Sequence, residues 1–285
     1  MLDSKKLTAA ALLMGGLVLV YWPVFRKLVF DWSHDDNYSH GFLIVPVALY
    51  LAWERRQRLQ ELTPRPSWLG LGVFAGGILV LLAGILGAEL FLTRISLLGV
   101  LAGGVILLYG WRHLMVLAFP LLFLLLMVPL PALVFNQIAF PLQILASRVG
   151  EVAIRTADIP VLREGNVLVL ANTSLEVAEA CSGIRSLISL LTLGIVFGYF
   201  TDQRWWVRTM IALSTVPVAI VANAARVAGT GIAAHRWGPS VAQGFLHEFS
   251  GWMVFVVAFL LMMALQQFIV RVLPASTQSL PRAAA

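Results

Sequence analysis

Repeated apolar runs, several close to twenty residues long and almost free of charge, decide what this chain can fold into. Coiled as an α-helix, such a run matches the ~30 Å hydrocarbon core of a bilayer. In lipid every backbone N–H and C=O needs an internal partner, so these runs span as helices. Composition agrees: 60% of the 285 residues are hydrophobic and 12% are charged, with a mean hydropathy of +0.88. Soluble domains hold about 45–50% apolar and about 25% charged residues. The sequence predicts an all-α polytopic membrane protein, with no internal repeat and no soluble domain.

About eight transmembrane helices are expected, at residues 7–25, 41–53, 68–87, 95–109, 114–130, 184–200, 207–225 and 249–270. The first follows Lys5 and Lys6 and starts like a signal peptide. No small-residue cleavage site comes before Tyr21-Trp22-Pro23, so it is expected to remain as an uncleaved span. The second is short and is expected to be extended at its start by Tyr38-Ser39-His40. Between spans five and six, residues 135–151 read as a small amphipathic helix lying at the interface. Residues 161–170 and 173–177 are β-branched and apolar, bracketed by Gly165-Asn166 and Ala171-Asn172, and read as a β-hairpin. Residues 1–272 thus read as a single transmembrane domain, and 273–285 as a disordered cytoplasmic tail.

Charge sets the orientation. With eight spans and a cytoplasmic N-terminus, the inner side holds eleven Lys/Arg and four Asp/Glu, the outer side nine and ten. The basic residues between Arg55 and Arg65, with Arg204 and Arg208, dominate the inner count, as the positive-inside rule expects. The net charge of +6 and the pI near 10.0 therefore express topology and do not imply a nucleic-acid partner. The amphipathic helix and the hairpin fall on the extracytoplasmic side.

That topology gathers a small set of reactive residues at one membrane face. Cys181 is the only cysteine and stands at the outer start of span six, within Glu179-Ala180-Cys181-Ser182-Gly183-Ile184-Arg185. One cysteine makes neither an internal disulfide nor a thiolate metal cluster, which leaves a nucleophile or a buried small hydrophobe. Span seven ends outside near Asn223 and Arg226, and span eight begins outside near His247. Taken singly, Arg226 also fits a cation anchoring a helix end, and His247 an interfacial residue. Together the three fit thiol-based acyl transfer. A helix N-terminus and a nearby cation favour the thiolate, a histidine carries the proton, and a guanidinium steadies a developing oxyanion. Arg185, one turn beyond Cys181, is a further candidate for the substrate carboxylate or a nearby acid.

The stretches Ala180-Cys181-Ser182-Gly183-Ile184-Arg185-Ser186 and Asn223-Ala224-Ala225-Arg226-Val227, with the isolated His247, resemble the signature regions of the exosortase/archaeosortase family. Asp36-Asn37-Tyr38-Ser39-His40-Gly41-Phe42-Leu43-Ile44 and Trp53-Glu54-Arg55-Arg56 resemble the N-terminal signature of the bacterial exosortase A type. The likeness covers about residues 10 to 270. It implies a cysteine endopeptidase and transpeptidase of the inner membrane, active on the extracytoplasmic face, with Cys181, Arg226 and His247 as its catalytic triad. Its partners would be secreted proteins carrying a Pro-Glu-Pro motif, a hydrophobic span and a basic tail, transferred to a cell-surface acceptor. No cofactor or metal is implied. Some relatives carry an extra domain after the last span, which the short tail lacks.

Other residues carry weaker signals. Tyr38 and His40 are expected to shape a substrate entrance, while Asn223 and Glu179 stand beside the triad positions. Glu179 or Glu176 would orient His247, or both are simply solvated. His34, Asp35, Asp36 and His40 cluster without a zinc-like spacing. A transporter or an exopolysaccharide assembly protein without peptidase activity is the rival class. A transporter would place its polar residues near the midplane in repeated halves, whereas here they gather at one end.

Overall fold

The computed structural model describes residues 4–171, 173–177, 184–238 and 245–272. The chain divides into two compact units, Met1–Ala132 and Leu133–Ala285. It is mainly helical with one small sheet, and it is a multi-pass membrane protein. Among the described residues five helices are long and apolar enough to cross a bilayer, and two shorter apolar helices accompany them.

In the first unit α1 (Ser4–His34) continues nine residues past its expected end at Phe25. Arg26, Lys27 and Asp31 look like loop residues in sequence, but in the helix Lys27 Nζ reaches Asp31 Oδ1 at 2.7 Å, one turn on. A 3-10 turn (Asp36–Tyr38), N-capped by Asp35, leads to α2 (Gly41–Glu54). Tyr38-Ser39-His40 thus form a turn and do not extend the span as α-helix. Continuation comes at the other end, where α3 (Arg56–Glu61) follows a one-residue break at Arg55. Next come α4 (Leu69–Leu86) and α5 (Leu90–Tyr109), then α6 (Trp111–Phe123) with a 3-10 turn (Leu124–Met127).

Helices α4 and α5 form the tightest pair. A Cβ on Gly77 would stand 2.8 Å from the Val100 backbone nitrogen, so glycine is what lets the two backbones approach. Gly110, at φ +91°, joins α5 to α6 in a conformation that other residues rarely adopt.

In the second unit α7 (Ala132–Thr156) leads to a three-stranded antiparallel meander of β1 (Val161–Glu164), β2 (Val167–Leu170) and β3 (Ser174–Glu176). The sequence predicts a hairpin; the extra strand arises because Gly165-Asn166 is itself a two-residue loop, with Gly165 at φ +63°. Helices α8 (Ile184–Thr201), α9 (Trp205–Trp237) and α10 (Phe245–Val272) complete the unit. The turn between α8 and α9 is closed by Asp202, which accepts the Arg204 backbone N–H at 2.7 Å and its guanidinium at 2.6 Å. Those bonds hold the Asp202 carboxyl below the usual carboxylate range.

Two of these helices run furthest past their expected bounds. α9 continues past Ala225 to Trp237 because its last turns bury Val227, Ala228, Gly231 and Ala234. α7, expected as a short interfacial helix over residues 135–151, has 25 residues and is long and apolar enough by composition to span. It is also the least apolar of the five candidates. Its last turns carry Glu151, which pairs with Arg155 at 2.8 Å and with Arg163 of β1 at 3.0 Å.

Candidate active site

Helices α8, α9 and α10 meet along one seam. Leu190, Ala219, Ala258 and Met262 form its core, and Val207, Ile211 and Ile269 a second core nearer the Trp205 end. α8 and α9 run antiparallel in close contact: Gly194 lies against Thr215 and Gly198 against Arg208. A side chain at Gly194 would collide with the Thr215 methyl, so a small residue there sets the helix spacing.

Helical geometry carries the seam toward the predicted site. Arg226 lies seven residues after Ala219, which brings it back to within about 20° of the same face, two turns further on. It is half-buried, and Asn223, one turn before it, is only 3% exposed. On α10 the position of His247 is eleven residues before Ala258, three turns away and again within about 20° of the seam. With Ala219 and Ala258, members of one buried cluster, taken as level, the His247 position stands about 6 Å further along the seam than Arg226. Both positions lie far from the opposite helix ends, Arg226 about 31 Å from Trp205 and His247 about 36 Å from Arg271. That separation is about one hydrocarbon thickness.

Arg185 has a different relation to the seam. It lies five residues before Leu190, so it leaves α8 about 140° round from the face that carries Leu190. Cys181 and Glu179 lie outside the described residues, as does the side chain of His247. Ile184, three residues after Cys181, is 1% exposed at the start of α8. Chain connectivity keeps the Cys181 Cα within about 11 Å of it.

A cap stands on this end of α9. Ile154 of α7, Ile159, Val161, Leu168, Leu170 and Val177 gather with Val227, the neighbour of Arg226, into one apolar cluster. Gly150 lies against the Val227 side chain and Gly231 against Ile154, so a larger residue at either would disturb the packing of α7 on α9. The last member of the cluster, Val177, stands four residues before Cys181. Its backbone N–H donates to the Asn166 carbonyl at 2.9 Å, and Asn166 Nδ2 donates to the Val177 carbonyl at 3.3 Å. In sequence Asn166 is legible only as a turn residue; its second role, as a clamp on the strand leading to Cys181, depends on the β2–β3 register.

Tyr38 and His40 belong to the first unit and are buried there, at 8% and 9% exposure. Tyr38 forms a backbone hydrogen bond with Leu130, and burial raises its phenol above the ordinary range. His40 Nε2 bonds the Leu126 carbonyl at 3.1 Å, and burial lowers its imidazole below the ordinary value. Both therefore fasten the turn before α2 to the end of α6. His34 is directed elsewhere, stacked on Phe30. Among the described residues no three His, Cys, Asp or Glu side chains stand together as metal ligands.

The model of the protein family described as Transmembrane exosortase (Exosortase_EpsH) matches residues 32–264, well over half of the chain. No curated protein and no solved structure shows a match.

Proposed function

Because this chain belongs to the transmembrane exosortase family, we propose that it is a membrane-embedded cysteine endopeptidase and transpeptidase with Cys181, Arg226 and His247 as its working residues. Family membership makes it a membrane protein involved in protein sorting. The observation that supports the finer reading is the shared seam: Arg226 and the His247 position lie on facing stripes of α9 and α10, about 6 Å apart along the helices.

The chemistry balances as follows. His247 accepts the Cys181 proton, and the thiolate attacks the scissile carbonyl carbon. Arg226 stabilises the oxyanion of the tetrahedral intermediate. The C–N bond breaks, His247 protonates the departing amine, and a thioester remains on Cys181. The hydroxyl or amine of an acceptor, or water, then gives its proton to His247 and attacks the thioester, and the thiolate leaves.

Substrates of this kind carry their own C-terminal span and would lie beside α8, α9 and α10 with the cleavage site at the outer face. Anchoring in the same bilayer removes much of the orientational cost of binding. In this arrangement α7 lies at the outer interface rather than across the membrane. The ion pairs of Glu151 with Arg155 and Arg163, and the cover its last turns share with the sheet, support that placement. Asn223 lines the seam beside Arg226, Glu179 and Arg185 flank the nucleophile, and Tyr38 and His40 shape the turn that opens the first unit outward.

Replacement of Cys181 by Ala tests the reading. The variant is expected to accumulate at normal level in the inner membrane, to leave proteins ending in Pro-Glu-Pro, a span and a basic tail uncleaved, and to co-purify with them. A wild-type adduct mapping to Cys181 would support the thioester. Full processing by Cys181→Ala would overturn the peptidase reading in favour of a transport or assembly role.

A further inference from the structure

A second polar site lies in the first unit, where the mechanism above has no use for it. Arg94, in the second turn of α5, is 3% exposed. The sequence leaves it outside the fourth span, but α5 starts at Leu90 and takes it inside. A buried guanidinium at membrane depth needs compensation. Asp31 of α1 supplies part of it, accepting from Arg94 Nη2 and from Lys27 Nζ. One carboxylate thus answers two cations. Arg94 Nε remains buried with no hydrogen-bond partner among the described residues.

The two cations also line a cavity of about 290 Å³ between α1, α4 and α5. Apart from Thr93 the rest of its wall is apolar, chiefly Val24, Leu81, Ile85 and Leu90. On its wall Val20 and Ile85 are exposed, as lipid-facing residues are. The volume falls at the low end of small-ligand sites, about 300–1,000 Å³. It suits a headgroup end and part of one chain rather than a whole lipid.

We propose that this crease binds an anionic phospholipid. Its phosphate sits against the Arg94 guanidinium and takes the free N–H groups of Lys27, and one acyl chain lies along Val24, Leu81 and Ile85. The phosphate completes the charge that Asp31 alone leaves unbalanced, and the chain fills apolar space that would otherwise be empty. Charge complementarity selects the headgroup and the open apolar crease selects a lipid over a soluble anion.

Native mass spectrometry and thermal unfolding of the purified full chain in detergent test this, with phosphatidylglycerol, phosphatidylcholine and inorganic phosphate as separate probes. Phosphatidylglycerol is expected to remain bound and to raise the unfolding midpoint by about 3 °C or more at saturation. Phosphatidylcholine and inorganic phosphate should give no comparable shift. Lys27→Gln, at a side chain 42% exposed, should fold normally and weaken phosphatidylglycerol binding by about tenfold or more. The double variant Asp31→Asn/Arg94→Gln removes the buried charges together and should abolish the preference. Equal shifts with phosphatidylcholine would reduce the site to an apolar crease. A shift with inorganic phosphate matching that of phosphatidylglycerol would make it a soluble-anion site. Either outcome, or wild-type binding by Lys27→Gln, overturns the proposal.

Discussion

Asn166 grips Val177 twice, accepting from its backbone N–H at 2.9 Å and donating from Nδ2 to its carbonyl at 3.3 Å. The first bond belongs to the β2–β3 ladder and survives any side-chain change. The second is made by the side chain alone and fixes the strand end that feeds Cys181. Asn166→Ala removes only that bond, for a stability cost of about 1 kcal/mol. Membrane abundance is therefore expected to be unchanged while processing slows several-fold, as immunoblots of a sorted protein would record. Equal falls in abundance and processing would make Asn166 structural only.

The ladder also says which edge of the sheet is open. Val177 with Asn166 and Leu170 with Thr173 are hydrogen-bonded partners, and the strict alternation of an antiparallel pair makes Leu168 with Leu175 the pair between them. Ser174 and Glu176 then direct their N–H and C=O groups to the outer edge of β3, where among the described residues no strand pairs. An extended substrate segment adding to that edge would meet Glu176, five residues before Cys181. Glu176→Pro removes an edge donor and leaves the β2–β3 ladder intact. It is expected to impair processing with little loss of protein, whereas Val169→Pro, on the central strand, should lower both. Wild-type processing by Glu176→Pro would exclude β3 as the docking edge.

Much of this architecture is legible in the apolar runs, because in a bilayer length and hydropathy nearly determine a spanning helix. The boundaries are less so, for reasons that particular residues explain. Phe25 reads as the end of α1 because Arg26, Lys27 and Asp31 follow, yet the helix runs on because Lys27 pairs with Asp31 one turn later and Asp31 also meets Arg94 of α5. Ala225 reads as the end of α9 because Arg226 follows, yet the helix continues under a protein cap instead of lipid. His247 reads as preceding its span, but α10 starts at Phe245. The shared face of Arg226 and His247 is present in the sequence as intervals of seven and eleven residues. It becomes readable only when Ala219 and Ala258 are known to share one buried cluster.

His40 gives the first unit a pH dependence. Burial holds its folded-state pKa below the unfolded value of about 6.5. Above that value both states are neutral, and the site leaves stability unchanged. As pH falls through about 6.5 the unfolded chain takes up a proton that the folded chain resists, so stability declines until pH passes below the folded pKa. The unfolding midpoint of the purified protein is expected to drop between about pH 7 and pH 5. His40→Gln should flatten that part of the profile. An unchanged slope in the variant would assign the acid sensitivity to other groups.

The proposed topology has a direct consequence for labelling in intact cells. In a Cys181→Ser background, a cysteine at Asp36 should react with an impermeant maleimide from outside, and one at Gln203 only after permeabilisation. The positive-inside balance predicts that result, since Arg204 follows Gln203 directly and Arg208 lies five residues after it. Labelling of Gln203→Cys from outside would invert α8 and α9 and move Arg226 to the cytoplasmic face.

Arg226 is the sharpest discriminator between a catalytic cation and one that merely anchors a helix end. An anchoring role needs positive charge and a long apolar stem, and lysine supplies both. Stabilising a tetrahedral oxyanion, or holding a carbonyl in plane, uses the guanidinium fork, which lysine lacks. Its half-burial on the seam face of α9, one turn from buried Asn223, favours the second use. Arg226→Lys is therefore expected to assemble normally and still form a complex with uncleaved substrate. Its processing rate should fall by about a hundredfold or more, the scale on which oxyanion donors act. Its pH profile should keep the wild-type shape, because the proposed Cys181–His247 pair is untouched. Processing within about threefold of wild type, well short of that loss, would return Arg226 to the role of an anchor and leave Cys181 and His247 to act without it.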